Sequence, residues 1–244
     1  MSEASLFASK RRHSITESRI KNIIWYIGEC YILLLQNNQK YSKQEIKDKS
    51  RIPFEDFLRF RLVEDYLVKY KHLLKDRTSQ LDEINFTPET QKEYIDKEDR
   101  KYKTDKIDIF INRIGLNTTW GLPDEKIYFA IECKRIKDLG NSISQYISDI
   151  IKFTNREYRE LRLPFEGQLG FIEYNSITHS DIKDNINTKL HKEKELVTDI
   201  PLTSYSLNEN ISSTYISKHK RNIGNKEQFA IFHLLLDYSN IIVN

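Results

Sequence analysis

The sequence predicts an α/β protein with a helical N-terminal region, and three observations lead to this expectation. Hydrophobic residues recur at helical spacing in several segments before Leu67, whereas apolar and polar residues alternate as in strands near the middle of the chain. Helical and strand patterns then follow one another towards the C-terminus. Finally, a chain of 244 residues, 39% of them hydrophobic, is long enough to form one α/β domain with a full core.

Three helical segments are expected in the N-terminal region. Residues 20–36 form the longest apolar run, but Glu29 interrupts it, and a membrane span needs about 20 predominantly apolar residues. The run also begins too late for a secretory signal, so it predicts a buried helix. Ser42 and Glu45 have the spacing of a capping box and open a short helix. Residues 53–67 have proline near the first turn and apolar positions recurring every three or four residues.

Two strands joined by a turn are expected near the middle of the chain. In residues 106–112, isoleucines occupy every second position, which places Asp108 on the face opposite to theirs. Residues 126–134 form the second strand, and turn-forming residues fill positions 117–124 between the two. Antiparallel partners have a roughly constant sum of residue numbers, so a hairpin centred on this turn sets Asp108 opposite Glu132.

The second strand brings an acid and a lysine together. Glu132 and Lys134 are two positions apart, so their side chains emerge on one face, opposite that of Cys133. Because Mg²⁺ prefers oxygen ligands, Asp108, Glu132 and the main-chain carbonyl of Cys133 are candidate metal ligands. Lys134 is then the candidate cation that orients a water or neutralises a phosphate. The alternative interpretation is an ordinary hairpin with a solvated, charged face.

Beyond this hairpin the patterns alternate between helix and strand. Helices are expected at residues 141–153 and 180–192, and strands at residues 168–174, 213–219 and 229–237. The last of these strands is apolar on both faces, which indicates a covered sheet or an interface. Upstream of the hairpin, a strand is expected within residues 93–102, and residues 87–89 begin either a turn or a brief helix.

In this order of elements the chain resembles the PD-(D/E)xK, or restriction-endonuclease-like, nucleases. The resemblance covers roughly positions 53–174, with a weaker echo at the C-terminus, and the passage from Glu132 to Ile172 looks like a bacterial subgroup associated with defence against foreign DNA. It implies a restriction-endonuclease-like core, in which helices flank a central mixed β-sheet. It also implies an endodeoxyribonuclease that hydrolyses DNA phosphodiester bonds in restriction or anti-phage defence, with Mg²⁺ as cofactor and Mn²⁺ able to substitute.

The resemblance assigns catalytic positions residue by residue. The family's metal-binding aspartate falls on Asp108, and its Glu and Lys fall on Glu132 and Lys134. The proline that gives the family its name is absent, since Ile107 precedes the aspartate, and this leaves Asp105 as a competing assignment. Strand parity and the hairpin register favour Asp108.

Two further positions follow from the resemblance. Members often add an acid from the first helix, for which Glu55 is the expected residue and Glu64 the alternative. Some branches add a glutamine from the helix after the lysine, and Gln145 matches that position as an auxiliary residue. The alternative for Gln145 is an ordinary glutamine on a helix surface.

Charge restricts how such a protein can bind nucleic acid. Its 39 basic and 36 acidic residues leave a net charge of only +3, which excludes a uniformly basic coat. Phosphate contacts would have to come from local patches, such as residues 10–13. Arg135 and Lys137 beside the predicted site, and His219 and Arg221 at an expected exposed strand end, are the other candidate nucleic-acid contacts.

The two cysteines, Cys30 and Cys133, have no metal-type spacing, and the six histidines show no zinc-binding pattern. This usage is typical of a reducing cytoplasm, and it argues against a zinc module.

The expected organisation is a flexible basic tail over residues 1–13, a helical region over 14–50 packed on the core, and a nuclease-like domain over 51–244. DNA is the expected partner and RNA the alternative, because no residue pattern identifies a reader of the 2′-hydroxyl. A homodimer would suit double-strand cutting, and partner subunits of a defence system are a further expectation. The competing function is a non-catalytic nucleic-acid-binding or scaffolding subunit that keeps the nuclease fold.

Overall fold

The computed structural model describes residues 3–75, 77, 83–96, 99–158, 161–221 and 228–243. The helices are α1 (Glu3–Gln36), α2 (Lys43–Lys49), α3 (Phe54–Leu62), α4 (His72–Lys75), α5 (Asn117–Trp120), α6 (Asn141–Asn155) and α7 (His179–Lys192). The strands are β1 (Tyr41–Ser42), β2 (Asn85–Asp96), β3 (Tyr102–Asn112), β4 (Ile127–Ile136), β5 (Arg156–Tyr158), β6 (Leu161–Arg162), β7 (Phe165–Ile172), β8 (Val197–Ser204), β9 (Thr214–Lys220), β10 (Gln228–Asp237) and β11 (Ile242–Val243).

A mixed central sheet organises the chain, as the α/β prediction requires. Its strands lie in the order β5-β2-β3-β4-β7-β10-β9-β8, with β6 pairing beside β4. The three central strands β4, β7 and β10 run parallel to one another, and the flanking pairs are antiparallel. A second, two-stranded parallel sheet pairs β1 with β11 and so ties the N-terminal region to the C-terminal end of the chain.

The register of the β3–β4 hairpin is the one that the sequence predicts. Ile109 pairs with Ile131 and Phe110 with Ala130, so the residue numbers of each pair sum to 240 and the next pair would be Asp108 with Glu132. The connecting segment contains the single turn of α5, which ends at Gly121 in the left-handed region at φ 66°.

The helix α1 packs its C-terminal half on one face of the sheet. Apolar side chains from Ile20 to Leu34 are buried there in the main hydrophobic core, which also contains Phe171 and Phe232 from the central strands. No helix among the described residues has the length and apolar character needed to cross a membrane.

The first turns of α1 replace the flexible tail that was expected over residues 1–13. Residues 3–13 are helical, while residues 1–2 lie outside the described part of the chain. Two contacts hold this end of the helix on the hairpin turn: the Trp120 indole N–H donates to the Thr16 hydroxyl at 3.1 Å, and the Arg12 guanidinium lies 5.1 Å from the Trp120 ring centroid.

The opposite face of the sheet carries α6 and α7. Ile143, Tyr146 and Ile150 of α6 form a second core with Ile182 and Ile186 of α7 and with residues of the sheet. The buried apolar side chains of α6 recur every three or four residues, as is typical of a helix that buries one face. The candidate site lies on this side, where α6 passes over β4.

Three details differ from the patterns expected along the chain. Residues 87–89 lie inside β2 instead of forming a turn or brief helix, with Glu89 in the left-handed region at φ 59°. The helix α3 continues through a π-helical turn over Val63–Leu67. The strand β8 was not anticipated, because it buries only Leu202 and therefore shows no alternation of apolar and polar residues.

Gly170 in β7 allows a close approach of three central strands. A Cβ atom at this position would lie 2.7 Å from Cδ1 of Ile136 and 2.8 Å from Cδ2 of Leu235. We expect Gly170→Ala to lower the free energy of unfolding by about 1 to 3 kcal/mol, as overpacking of a core does. Chemical denaturation measures this loss. Adding Ile136→Val removes the first clashing atom, so the double variant should lose less than the sum of the single changes, and additive losses would contradict this explanation.

Candidate active site

The candidate site forms where β3 and β4 separate. Their pairing ends at Ile109 and Ile131, and β3 beyond this point pairs only with β2. At the separation point the Cys133 backbone N–H donates to Oδ2 of Asp108 at 2.8 Å, so a side chain takes the place of a strand partner. Ile107, expected to share a face with Ile109, packs instead with Phe110, Tyr128 and Ala130.

Asp108 and Glu132 form a buried pair of carboxyl groups at this fork. Their side chains interact electrostatically and are only 8% and 7% exposed. Burial raises the pKa of Glu132 well above its usual value, and the negative charges of Asp108, Asp149 and Asp105 raise it further. Burial also raises the pKa of Asp108, against the opposing influence of Arg59. Two adjacent buried carboxyl groups do not both ionise readily, and both pKa shifts have this direction.

Lys134 lies between two other acids. Its ammonium is 3.2 Å from Oε1 of Glu55 in α3 and 3.4 Å from Oδ2 of Asp149 in α6. Burial alone would lower the pKa of Lys134, but Asp149 and Glu55 outweigh it and raise the pKa above its usual value. Lys134 is therefore a permanent cation at physiological pH, which suits it to neutralising charge and not to acting as a general base.

The structure places Glu55 at the site and Glu64 away from it. Besides contacting Lys134, Glu55 accepts a 2.8 Å hydrogen bond from the backbone N–H of Arg135 through Oε2. Glu64 is exposed in the π-helical turn that follows α3. Of the two helix acids that the sequence left open, Glu55 is thus the one in contact with the candidate catalytic lysine.

Asp149 is a site residue that the sequence analysis missed. It is 2% exposed on the buried face of α6, whereas Gln145, one turn earlier, is exposed. The position of Asp149 within the apolar stripe of α6, next to Ile150, was the available signal. A charged residue on a buried helix face needs a partner, and Asp149 pairs with Lys134 of β4 and with Lys152 of its own helix.

Arg59 is the second residue that was missed. Its side chain is completely buried, and its guanidinium pairs with Asp108, with Oδ1 of Asp56 at 3.0 Å and with Oε2 of Glu89 at 2.8 Å. The signal in the sequence was its position four residues after Glu55, on the same face of α3. Arg59 therefore compensates the negative charges of Asp56, Glu89 and Asp108.

Gln168 is the third, and it lies beside Glu132 in the parallel β4–β7 register. It is fully buried, and its Nε2 donates to the carbonyl of Tyr146 at 2.7 Å. Within the described residues its Oε1 forms no hydrogen bond. Gln168 therefore adds a second buried polar group beside Glu132.

Two of the expected nucleic-acid contacts are wrong. His219 is fully buried between the hydroxyl groups of Thr198 and Ser217, and burial lowers its pKa to about 4, so it is neutral at physiological pH. Arg221 donates to the carbonyls of Phe153 and Leu163 and pairs with Glu166. Both residues were expected at an exposed strand end, but β8 covers the edge of β9.

The remaining candidates differ from one another in their surroundings. Arg135 is half-buried and pairs with Glu173, whereas Lys137 is exposed. Asp105, the competing assignment for the metal-binding aspartate, pairs with Arg156 and contributes only a minor part of the negative field on Glu132. The Cys133 thiol is buried in the main core, so only its carbonyl remains a candidate ligand.

The fit of a metal ion to this site can be judged from its oxygen atoms. Among the described residues no cluster of three or more His, Cys, Asp and Glu side chains is arranged to hold a metal ion. Asp108 and Glu132, with the Cys133 carbonyl, nevertheless provide hard oxygens of the kind and number that Mg²⁺ takes from proteins, since it retains several waters. Burial is the main cause of the raised pKa of Glu132, and the negative charges of Asp108, Asp149 and Asp105 raise it further; a divalent ion would compensate those charges.

The ion pairs of Arg59 lead to a stability prediction. Arg59→Met leaves Asp108, Asp56 and Glu89 without their common cation, and breaking a buried pair costs about 3 to 5 kcal/mol. We expect a large fall in the midpoint of thermal unfolding. Arg61→Met is the matched control two residues further along α3, because the Arg61 side chain is 41% exposed, pairs with Asp65 at 3.5 Å and lies over the Phe57 ring. Equal effects of the two substitutions would contradict the central position of Arg59.

Comparisons of the chain with protein-family models, with curated proteins and with solved structures find no match.

Proposed function

We propose that the protein is a Mg²⁺-dependent endodeoxyribonuclease with a restriction-endonuclease-like core. The observation that carries this proposal is the buried Asp108–Glu132 pair at the fork of β3 and β4, with the Lys134 ammonium two residues further along the same strand face. Two neighbouring acids can hold a metal ion, and a permanent cation beside them can stabilise the negative charge that develops on a phosphodiester during hydrolysis. The order of α3, the hairpin, α6 and β7 along the chain adds to this support.

The chain's own residues have separate roles in this proposal. Asp108, Glu132 and the Cys133 carbonyl would hold Mg²⁺ or Mn²⁺, and the bound ion would supply charge stabilisation on the phosphate and lower the pKa of a water. Lys134 would neutralise the negative charge that develops on the phosphate, or orient the attacking water. Glu55 and Asp149 hold the Lys134 ammonium in place from α3 and α6.

The substrate and setting belong to the proposal as well. DNA is the proposed substrate and RNA the alternative, and a role in restriction or anti-phage defence, with partner subunits, follows from the resemblance of the Glu132–Ile172 passage. A homodimer would place two sites on opposite strands of a duplex.

One observation favours a second candidate function. Both carboxylate oxygens of Asp108 already accept hydrogen bonds, Oδ1 from Arg59 and Oδ2 from the Cys133 N–H. A purely structural aspartate would be held in the same way. The second candidate is therefore a non-catalytic subunit that binds nucleic acid on the same fold.

A cleavage assay distinguishes the two candidates. The full chain is incubated with supercoiled plasmid, linear duplex, single-stranded DNA and RNA, each with Mg²⁺, with Mn²⁺ and with a chelator. The nuclease proposal expects nicking or cutting of DNA that requires the divalent ion. Binding of nucleic acid without cleavage under every metal condition would favour the non-catalytic subunit.

A further inference from the structure

A positively charged cleft opens between α2 and α3, next to the candidate site. It has a volume of about 420 Å³, and its charged lining consists of Lys43, Lys47, Arg51 and Arg135. Ile52, which is 48% exposed, and the Phe54 ring complete the walls. We call this feature the α2–α3 cleft. Four cations and no acid in the lining make it a place where an anion is attracted.

Two of the four cations are available for a ligand. Lys43 is 2.9 Å from Glu173, and Arg135 also pairs with Glu173 behind the cleft. Lys47 and Arg51 are exposed and form no ion pair within the described residues. The acids of α2 are engaged with other partners, since Glu45 contacts Lys49 and Asp48 accepts from Gln44. The surplus positive charge of the cleft therefore lies on Lys47 and Arg51.

The α2–α3 cleft joins the candidate site through shared residues. The Arg135 guanidinium lies 4.6 Å from the Phe54 ring centroid inside the cleft, while the Arg135 backbone N–H donates to Glu55. Glu55 follows Phe54 directly in α3 and contacts Lys134. A polyanionic strand with one phosphate at Lys134 could therefore place neighbouring phosphates within the cleft.

The geometry points to the α2–α3 cleft as the surface that binds the DNA backbone beside the scissile phosphate, with Lys47 and Arg51 as its phosphate contacts. This inference rests on the proposed nuclease function, because the cleft is assigned to the strand that the site cuts. Arg135 and Phe54 position the strand where the cleft meets the site, and Ile52 offers an apolar contact to sugars or bases at its rim. The basic residues 10–13 of α1 play no part in this surface.

The test compares two pairs of exposed lysines and arginines. Lys47→Ala with Arg51→Ala removes the two available charges of the cleft, and Lys192→Ala with Lys194→Ala makes the same charge change at the end of α7, where both lysines are exposed. Binding of a fluorescent duplex to the full chain is measured by anisotropy in chelator, across a range of salt concentrations, and cleavage is measured separately with Mg²⁺.

The cleft variant should bind the duplex roughly tenfold more weakly than the wild type. The slope of the logarithm of its affinity against the logarithm of the salt concentration should become shallower by about 2, because each phosphate contact contributes about 0.9 to that slope. The α7 variant should match the wild type in its affinity for the duplex and in the salt dependence of that affinity. Unchanged affinity and slope in the cleft variant, with the wild type cutting DNA, would overturn the cleft assignment and leave the nuclease proposal intact. Loss of binding in the cleft variant, with no cutting by the wild type, would support the surface and overturn the nuclease. A wild type that neither binds nor cuts DNA overturns both.

Discussion

Glu132→Gln is expected to abolish DNA cleavage while making the metal-free protein more stable. Glutamine keeps the shape of Glu132 and can donate a hydrogen bond to Asp108, but it brings no second negative charge to the buried pair. It also withdraws a carboxylate from the proposed metal site, so activity should fall by at least about 100-fold. Gain of stability with loss of activity is typical of residues that a fold retains for function.

The stability gain should depend on pH in a defined direction. The pKa of Glu132 in the folded protein lies well above the usual value of 4.5, first because of burial and then because of Asp108. Between the two values the folded state binds more protons than the unfolded chain, so the wild type loses stability as pH rises. Glutamine does not titrate, so the advantage of the variant should be absent at low pH and should grow as pH rises through this window.

Thermal unfolding in chelator at several pH values measures this difference. Each unit of displaced pKa corresponds to about 1.4 kcal/mol, so we expect an advantage of at least about 1 kcal/mol at the upper end of the window. Glu64→Gln is the matched control, because Glu64 is exposed and should show neither the stability gain nor the loss of cleavage. A Glu132→Gln protein that still cuts DNA, or that is less stable than the wild type at high pH, would contradict the proposed pair.

Lys134→Met should remove cleavage and leave metal binding in place. The ammonium is not a proposed ligand, but it is the cation that would face the phosphate, and loss of such an electrostatic group costs about 100- to 1000-fold in rate. Since Glu55 and Asp149 keep Lys134 protonated, no pH within the physiological range should turn it into a base. The activity of the wild type should therefore show no rise that corresponds to deprotonation of a lysine.

Lys152→Met provides the control for this substitution. Lys152 also contacts Asp149, at 2.6 Å from Oδ1, but its side chain is 42% exposed and lies outside the site. Lys134→Met leaves two acids without their buried partner and should also lower stability by about 3 kcal/mol, so cleavage is assayed well below the unfolding temperature and folding is checked by circular dichroism. Equal cleavage by the Lys134 variant and the wild type would remove Lys134 from the mechanism.

The parts of this site that the sequence predicted are those fixed by local geometry. Period-two alternation and the turn position together determine which residues oppose each other in a hairpin, and the pairing of Asp108 with Glu132 follows from them. Glu55 was one of two choices, and only the packing of α3 against β4 distinguishes it from Glu64.

The residues that were missed depend on long-range packing. Arg59 and Asp149 are charged residues on buried helix faces, and a helical pattern alone does not show which acid or base will meet them across the sheet. His219 was misplaced for a related reason. Most residues of β8 are exposed, so its sequence does not show the pattern of a strand. Because β8 pairs with β9, the β9 strand lies inside the sheet and not at its edge.

Asp108 and Glu132 are proposed to hold a divalent cation together. Calorimetric titration of Mn²⁺ into the full chain and into the Glu132→Gln variant, side by side at a pH above the usual carboxyl range, tests it most directly. We predict saturable binding to the wild type, with release of a proton because the pair must ionise, and no such binding to the variant. Binding of equal strength to both proteins, or binding to neither, would contradict the claim.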